Sequence, residues 1–207
     1  MRILTTILFL LVSLISFGQV VESVRYNWNF AGLQKNGLQV ATKTDVQNAI
    51  DSVVGWARYD DTTYTSANKF VVNQDDSLTL PNDAGFTILE HLPLGVDSFY
   101  SPNDTTLIGV NEGDFYTIRV DFNAESSSNS GLFYLVIDIG GSIGTTFEKE
   151  FTFPKGIGEE HPFTETFAYY TLDTFLANGG KIKIYSVTGN TSIWDISYVI
   201  SRTSKGR

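Results

Sequence analysis

The sequence predicts an all-β fold, an antiparallel jelly-roll β-sandwich of about eight strands preceded by a short N-terminal helix. Three observations carry this. Segments beyond residue 56 alternate apolar and polar residues with a period of two, the pattern of half-buried strands. Turn signals rich in Gly, Asn and Asp separate those segments. The chain also holds 15 Phe, 10 Tyr and 3 Trp, and each ring can bury roughly 150–250 Å² in a two-sheet core. An immunoglobulin-like sandwich is the second architecture compatible with the pattern.

The strands follow in order. Trp56-Ala57-Arg58-Tyr59 opens the β-rich region, before Asp60-Asp61 and a Thr-rich stretch. Phe70-Val71-Val72 is a short strand closed by Asn73-Gln74-Asp75-Asp76, and Leu78-Thr79-Leu80 is another closed by Pro81-Asn82-Asp83-Ala84-Gly85. Residues 92–105, rich in Pro, Gly, Asn and Asp, read as a loop. From Phe115 onward Tyr116, Ile118, Val120 and Phe122 share one face, with Thr117, Arg119 and Asp121 opposite. Residues 125–131 read as an exposed connector. Leu132 to Ile139 is nearly continuous apolar sequence, which predicts a strand covered on both faces. Phe147, Lys149, Phe151 and Phe153 then face away from Glu148, Glu150 and Thr152. Residues 163–172, 182–187 and 193–200 complete the set. In the last of these, Trp194, Ile196, Tyr198 and Ile200 alternate with Asp195, Ser197 and Val199. One helical turn is predicted over residues 173–178, before Gly179-Gly180.

Upstream, the sequence changes character. Residues 1–18 carry one basic residue, Arg2, then an apolar run and the small residues Ser16 and Gly18, the order of a secretory signal peptide. The run is short for a membrane span, which needs about 20 apolar residues. Cleavage after Gly18 would leave Gln19 first and no membrane segment in the mature form. Residues 19–55 form a neck, with a turn signal at Asn36-Gly37 and a short helix predicted over 45–54. Thr44 and Gln47 form a capping box, and Asp45 suits the positive end of the helix dipole. Val46, Ala49, Ile50 and Val53 make one apolar stripe, and Gly55 is placed to end the helix. So short a helix is marginal alone in water, so the stripe must pack, either on its own domain or on other copies of the chain. Residues 56–207 form the head domain.

Composition narrows the chemistry. Of 207 residues none is Cys and 2 are His, so disulfides, thiolate metal sites and a Cys nucleophile are excluded. A net charge of -9 argues against a nucleic-acid partner. No nucleophile elbow, zinc-protease or phosphate-loop motif occurs, so the expectation is a non-enzymatic protein without cofactor or metal. Glu159-Glu160-His161 lies between Gly158 and Pro162 and reads as a solvated loop. Asp60-Asp61 and Asp75-Asp76 lack calcium-loop spacing and read as turn residues. Trp194 and Tyr198 read as packing.

Several phrases resemble a jelly-roll domain common in phage fibre and virion-decoration proteins. They are Trp56-Ala57-Arg58-Tyr59-Asp60-Asp61-Thr62-Thr63-Tyr64-Thr65, Leu80-Pro81-Asn82-Asp83-Ala84-Gly85, Phe151-Thr152-Phe153-Pro154-Lys155-Gly156, residues 172–180 and Ile193 to Arg202. The stretch Asn36-Gly37-Leu38-Gln39-Val40-Ala41-Thr42-Lys43 is similar to the neck of phage fibres, ahead of a trimeric helix. The leader, ending Phe17-Gly18-Gln19, is similar to signal peptides of Bacteroidota. The resemblance implies a homotrimeric fibre, spike or capsid-decoration protein on the virion surface, in contact with other virion proteins. Val46, Ile50 and Val53 would then be its trimer-helix contacts. The loops at 92–105 and 123–131 would adhere to host-surface glycans. The alternative is an exported bacterial carbohydrate-binding or adhesin-like β-sandwich module, secreted after cleavage.

Overall fold

The computed structural model describes residues 34–35, 38–39, 43–51 and 53–206, without the side chains of 34, 35, 38, 39 and 51. The leader and most of the linker lie outside the described residues. The chain divides into two units, residues 1–42 and 43–207. In the first, β1 (Gln34–Lys35) pairs antiparallel with β2 (Leu38–Gln39), on either side of the predicted turn at Asn36-Gly37.

The second unit begins with α1 (Lys43–Asp51). It starts earlier than expected, so Thr44 stands inside the first turn rather than capping it. Asp45 lies in that first turn, as predicted. Gly55 does not terminate this helix either. It is the first residue of β3 (Gly55–Asp60), and a Cβ there would lie 2.5 Å from the His91 carbonyl oxygen. Close backbone approach, with Trp56 N–H donating to His91 O at 2.9 Å, is what requires glycine.

The strands that follow are β4 (Phe70–Val72), β5 (Ser77–Thr79), β6 (Phe86–Ile88), β7 (Tyr100–Ser101), β8 (Thr106–Leu107), β9 (Phe115–Ser126), β10 (Leu132–Asp138), β11 (Thr145–Thr152) and β12 (His161–Tyr170). Then come α2 (Asp173–Asn178), β13 (Lys181–Thr188) and β14 (Thr191–Ser204). A four-stranded sheet has the order β11-β10-β13-β5, and a six-stranded one the order β12-β9-β14-β3-β6 with β4 also on β14. All pairings are antiparallel. The two sheets hold ten strands where about eight were expected; β4 and β5 fall where short strands are predicted, and β6 is one that the sequence did not show. Neither sheet closes into a barrel.

The sheets share one core. Tyr116, Ile118, Val120 and Phe122 of β9 are all buried, as their alternation predicted. They meet Phe133, Leu135 and Ile137 of β10, with Phe122 and Phe133 ring centroids 6.0 Å apart. Phe147 of β11 stacks on Phe167 of β12 at 4.9 Å across the same gap.

The reading of β14 needs one correction. A bulge falls between Trp194 and Ser197, where Asp195 takes φ 53°. The extra residue reverses the phase. Ile193 faces the core, as do Ile196, Tyr198 and Ile200 after the bulge, whereas Trp194 faces outward. Trp194 is still buried, and the Lys69 ammonium sits 4.4 Å from its ring centroid. Tyr198 is packed in the core and donates its hydroxyl to Leu80 O at 3.0 Å.

One pole of the sandwich is tied by a buried ion pair. Arg202 Nη1 lies 3.3 Å from Asp114 Oδ2, both side chains almost fully enclosed. Asp114 also accepts from the Gly206 and Asn111 amides (2.7 and 3.0 Å) and the Tyr116 hydroxyl (3.0 Å). Arg202 Nε donates to Val53 O at 2.8 Å. Burial works against ionisation of Asp114, but these hydrogen bonds and the Arg202 charge outweigh it and hold the carboxyl below its usual range.

Candidate functional site

The residues singled out in the sequence distribute unevenly. Val46 and Ile50 stand on α1 at 51% and 50% exposure, uncovered by the rest of the described chain. Val53 is half-buried just beyond the helix, where its amide donates to Ile50 O at 2.9 Å. Of the apolar stripe, the Val46 and Ile50 side chains are thus left open among the described residues, while Val53 is partly enclosed.

The two loops read as adhesive surfaces are more structured than expected. Within 92–105, Phe99 and Tyr100 are buried, and the Tyr59 hydroxyl accepts the Phe99 amide at 2.8 Å. Within 123–131, residues up to Ser126 complete β9, and Ser126 is buried. Aromatic residues in the first loop and the continued alternation in the second pull both segments into the fold.

The acidic pairs act largely as turn residues. Asp61 accepts the Tyr64 and Asp83 amides at 2.6 and 3.0 Å, and Asp83 accepts the Thr62 and Gly85 amides, each at 2.8 Å. Burial opposes the Asp83 charge, but the hydrogen bonds from Thr62, Thr63 and Gly85 prevail and lower its carboxyl to about 2. Asp60 accepts from Arg58 Nε at 2.9 Å, and Asp76 from Asn73 Nδ2 at 3.2 Å. His161 departs from expectation. It opens β12 rather than lying in a loop, because Phe163, Phe167 and Tyr169 extend the inward pattern back to it. Among the described residues, no group of three or more His, Asp or Glu is placed to hold a metal ion.

The outer face of the smaller sheet is the feature that the sequence did not disclose. The apolar run of β10 was expected to be covered on both sides. Its inward residues Phe133, Leu135 and Ile137 are in the core, but Leu132, Tyr134, Val136 and Asp138 point the other way, and no described element covers them. Register places Tyr134 opposite Tyr185 of β13, Val136 opposite Lys183 and Asp138 opposite Lys181. On the other side, Glu150 and Glu148 of β11 face Tyr134 and Val136. Val136 is 8% exposed although it lies on the outer face. Long charged neighbours such as Lys183 and Glu148 can shield it with their stems.

The rings of Tyr134 and Tyr185 lie near-parallel, 19° apart, with centroids at 6.3 Å. The Tyr134 hydroxyl donates to Glu150 Oε2 at 2.7 Å, and that bond raises the phenol above its ordinary range. Lys183 pairs with Asp138, and that hydrogen bond keeps the Asp138 carboxyl below its usual range. The result is a pair of apolar rings framed by fixed acceptors and donors. The outer face of the larger sheet carries the pairs Arg58–Asp60 (2.9 Å) and Arg119–Asp121 (2.7 Å), and its outward Trp194 is buried, with Lys69 over its ring. A cleft of about 430 Å³ also opens between the edges of the two sheets, lined by apolar side chains including Ile143, Phe147, Tyr170 and Leu172.

No described protein family and no curated protein matches the sequence. Solved structures align over about three quarters of the chain. The Eiger TNF of S. frugiperda is similar at TM-score 0.48 and 12% identity, covering 75% of this chain and 96% of that one. The PRD1 vertex protein P5 aligns at TM-score 0.42 and 11% identity, over 73% and 96%. A carbohydrate-binding module of Cellvibrio mixtus lichenase 5A, solved with cellotriose, aligns at TM-score 0.30 and 10% identity, over 72% and 97%.

Proposed function

We propose that the chain is a non-catalytic glycan-binding β-sandwich module acting outside the cell or on a particle surface. The observation that carries this is the Tyr134–Tyr185 pair on the uncovered face of the smaller sheet, with Glu148, Glu150 and Lys183 beside it. A sugar ring has an apolar C–H face and a rim of hydroxyls. Paired aromatic rings meet the first, and fixed carboxylates and ammonium groups meet the second. The leader-like N-terminus supports export.

The expected result is binding to at least one glycan on a neutral-glycan array. Changing Tyr134 and Tyr185 together to Ala should weaken it at least about tenfold. Both side chains lie on the surface, so thermal unfolding should change little. Wild-type protein that binds no glycan, or a double variant that binds as well as wild type, would sink this reading.

A second reading is favoured by α1. It is a homotrimeric fibre, spike or decoration protein of a phage particle, in contact with other virion proteins. Its support is the exposure of Val46 and Ile50, among the described residues, on a helix too short to persist alone. In a trimer, Val46, Ile50 and Val53 would form a small axial core. Light scattering should then give three times the 22.9 kDa chain mass, and Val46→Asp with Ile50→Asp should give monomers whose head stays folded. A monomeric wild type at micromolar concentration would count against the trimer.

A further inference from the structure

Resting on the glycan-binding reading, we infer that the tyrosine pair is one end of an extended site for a neutral, linear oligosaccharide. The other end is the polar trough between α2 and the β7–β8 hairpin.

The sheet provides the path. Tyr134, Val136 and Asp138 alternate outward along β10, and Tyr185, Lys183 and Lys181 run beside them on β13. Outward residues recur about every 6.6 Å, so the Asp138–Lys181 position lies about 13 Å from the rings. There the face enters a recess of about 330 Å³ lined by Asp138, Gly140, Asn178, Gly179, Lys181 and Lys183. Asn178, Gly179 and Lys181 also line a trough of about 720 Å³ that continues past Ser101, Asp104 and Thr106. The two hollows therefore adjoin at Asn178, Gly179 and Lys181.

The lining suits a hydroxyl-rich chain. Gly179, at φ 70°, leaves bare backbone where a Cβ would lie 2.9 Å from Leu107 O. Asn178 donates to Thr174 O at 3.0 Å, which leaves its own amide oxygen as an acceptor. Ser101 donates to Asp104 at 2.9 Å. Lys181 is exposed and makes no ion pair among the described residues. Lys181 and Lys183 are matched by Asp104 and Asp138, and Glu148 and Glu150 lie further along the face. That balance, on a chain of net charge -9, disfavours polyanionic sugars and selects a neutral one.

Calorimetric titration of the full chain tests this. The probes are disaccharides and hexasaccharides of the β-1,4-gluco, β-1,3-gluco, β-1,4-xylo and β-1,4-manno series. At least one hexasaccharide should bind about tenfold or more tightly than its disaccharide. In Lys181→Ala with Asn178→Ala, the disaccharide affinity should persist and the length preference should fall below about twofold. Equal affinity for both lengths, or an unchanged preference in the variant, would overturn the extended site while leaving the tyrosine face standing. Absence of binding in every series would overturn both. Circular dichroism confirms that the variant is folded.

Discussion

Phe133→Ala is expected to cost about 3–5 kcal/mol of unfolding free energy, the range for deleting a fully buried phenylalanine. Phe133 is wholly buried and sits at the centre of a ring cluster. Its centroid lies 5.1 Å from Phe163, 5.2 Å from Phe151, 5.3 Å from Phe153 and 6.0 Å from Phe122. These rings come from both sheets, so truncation opens a void where the layers meet. Four rings hemmed in by strand backbones cannot all move to fill it. Urea denaturation should show a lower midpoint with an unchanged slope. For a domain of this size the melting temperature should fall by on the order of 10 °C. A loss under about 1 kcal/mol would place the centre of the core elsewhere.

Asp114→Ala should be about as damaging, for an electrostatic reason. It leaves the Arg202 guanidinium enclosed without its carboxylate, and breaking one side of a buried pair costs about 3–5 kcal/mol. The Gly206 and Asn111 amides lose their acceptor as well. Adding Arg202→Met should recover part of the loss, because the stranded charge goes with it. The same carboxylate predicts an acid limb. Asp114 and Asp83 have folded-state values below the ordinary carboxylate value. Their contribution is therefore complete at neutral pH and is lost as pH falls. For Asp83 the loss runs from about 4, the usual carboxylate value, to about 2. Unfolding midpoints measured across this interval should fall with pH in the wild type, and less steeply in Asp114→Ala. A flat wild-type profile would contradict the assignment.

What could be read in advance was local. The alternation of β9 and the single turn of α2 follow from short-range spacing, and both are where the pattern puts them. In β14 only Trp194 departs from the predicted alternation, because a bulge at one ordinary-looking Asp reverses the phase there without any Gly or Pro to announce it. The ring pair was hidden for another reason. Tyr134 and Tyr185 become neighbours only through the register of β10 against β13. The apolar character of residues 132–139 looked the same whether its second face met a covering layer or open solvent. The short strand β6 has too few residues for a period to show, and the strand that it pairs with, β3, lies well before it in the sequence.

The arrangement of the two sheets also governs how copies of the protein behave when crowded. Among the described residues the long strands β11 and β12 are terminal in their sheets and pair on one side only. Each offers a row of free amides and carbonyls to any passing strand. In β11 the exposed run Glu148-Lys149-Glu150 would place desolvated charges inside such a junction, and in β12 Pro162 removes a donor near its start. Strand-to-strand addition is thereby penalised at these two edges.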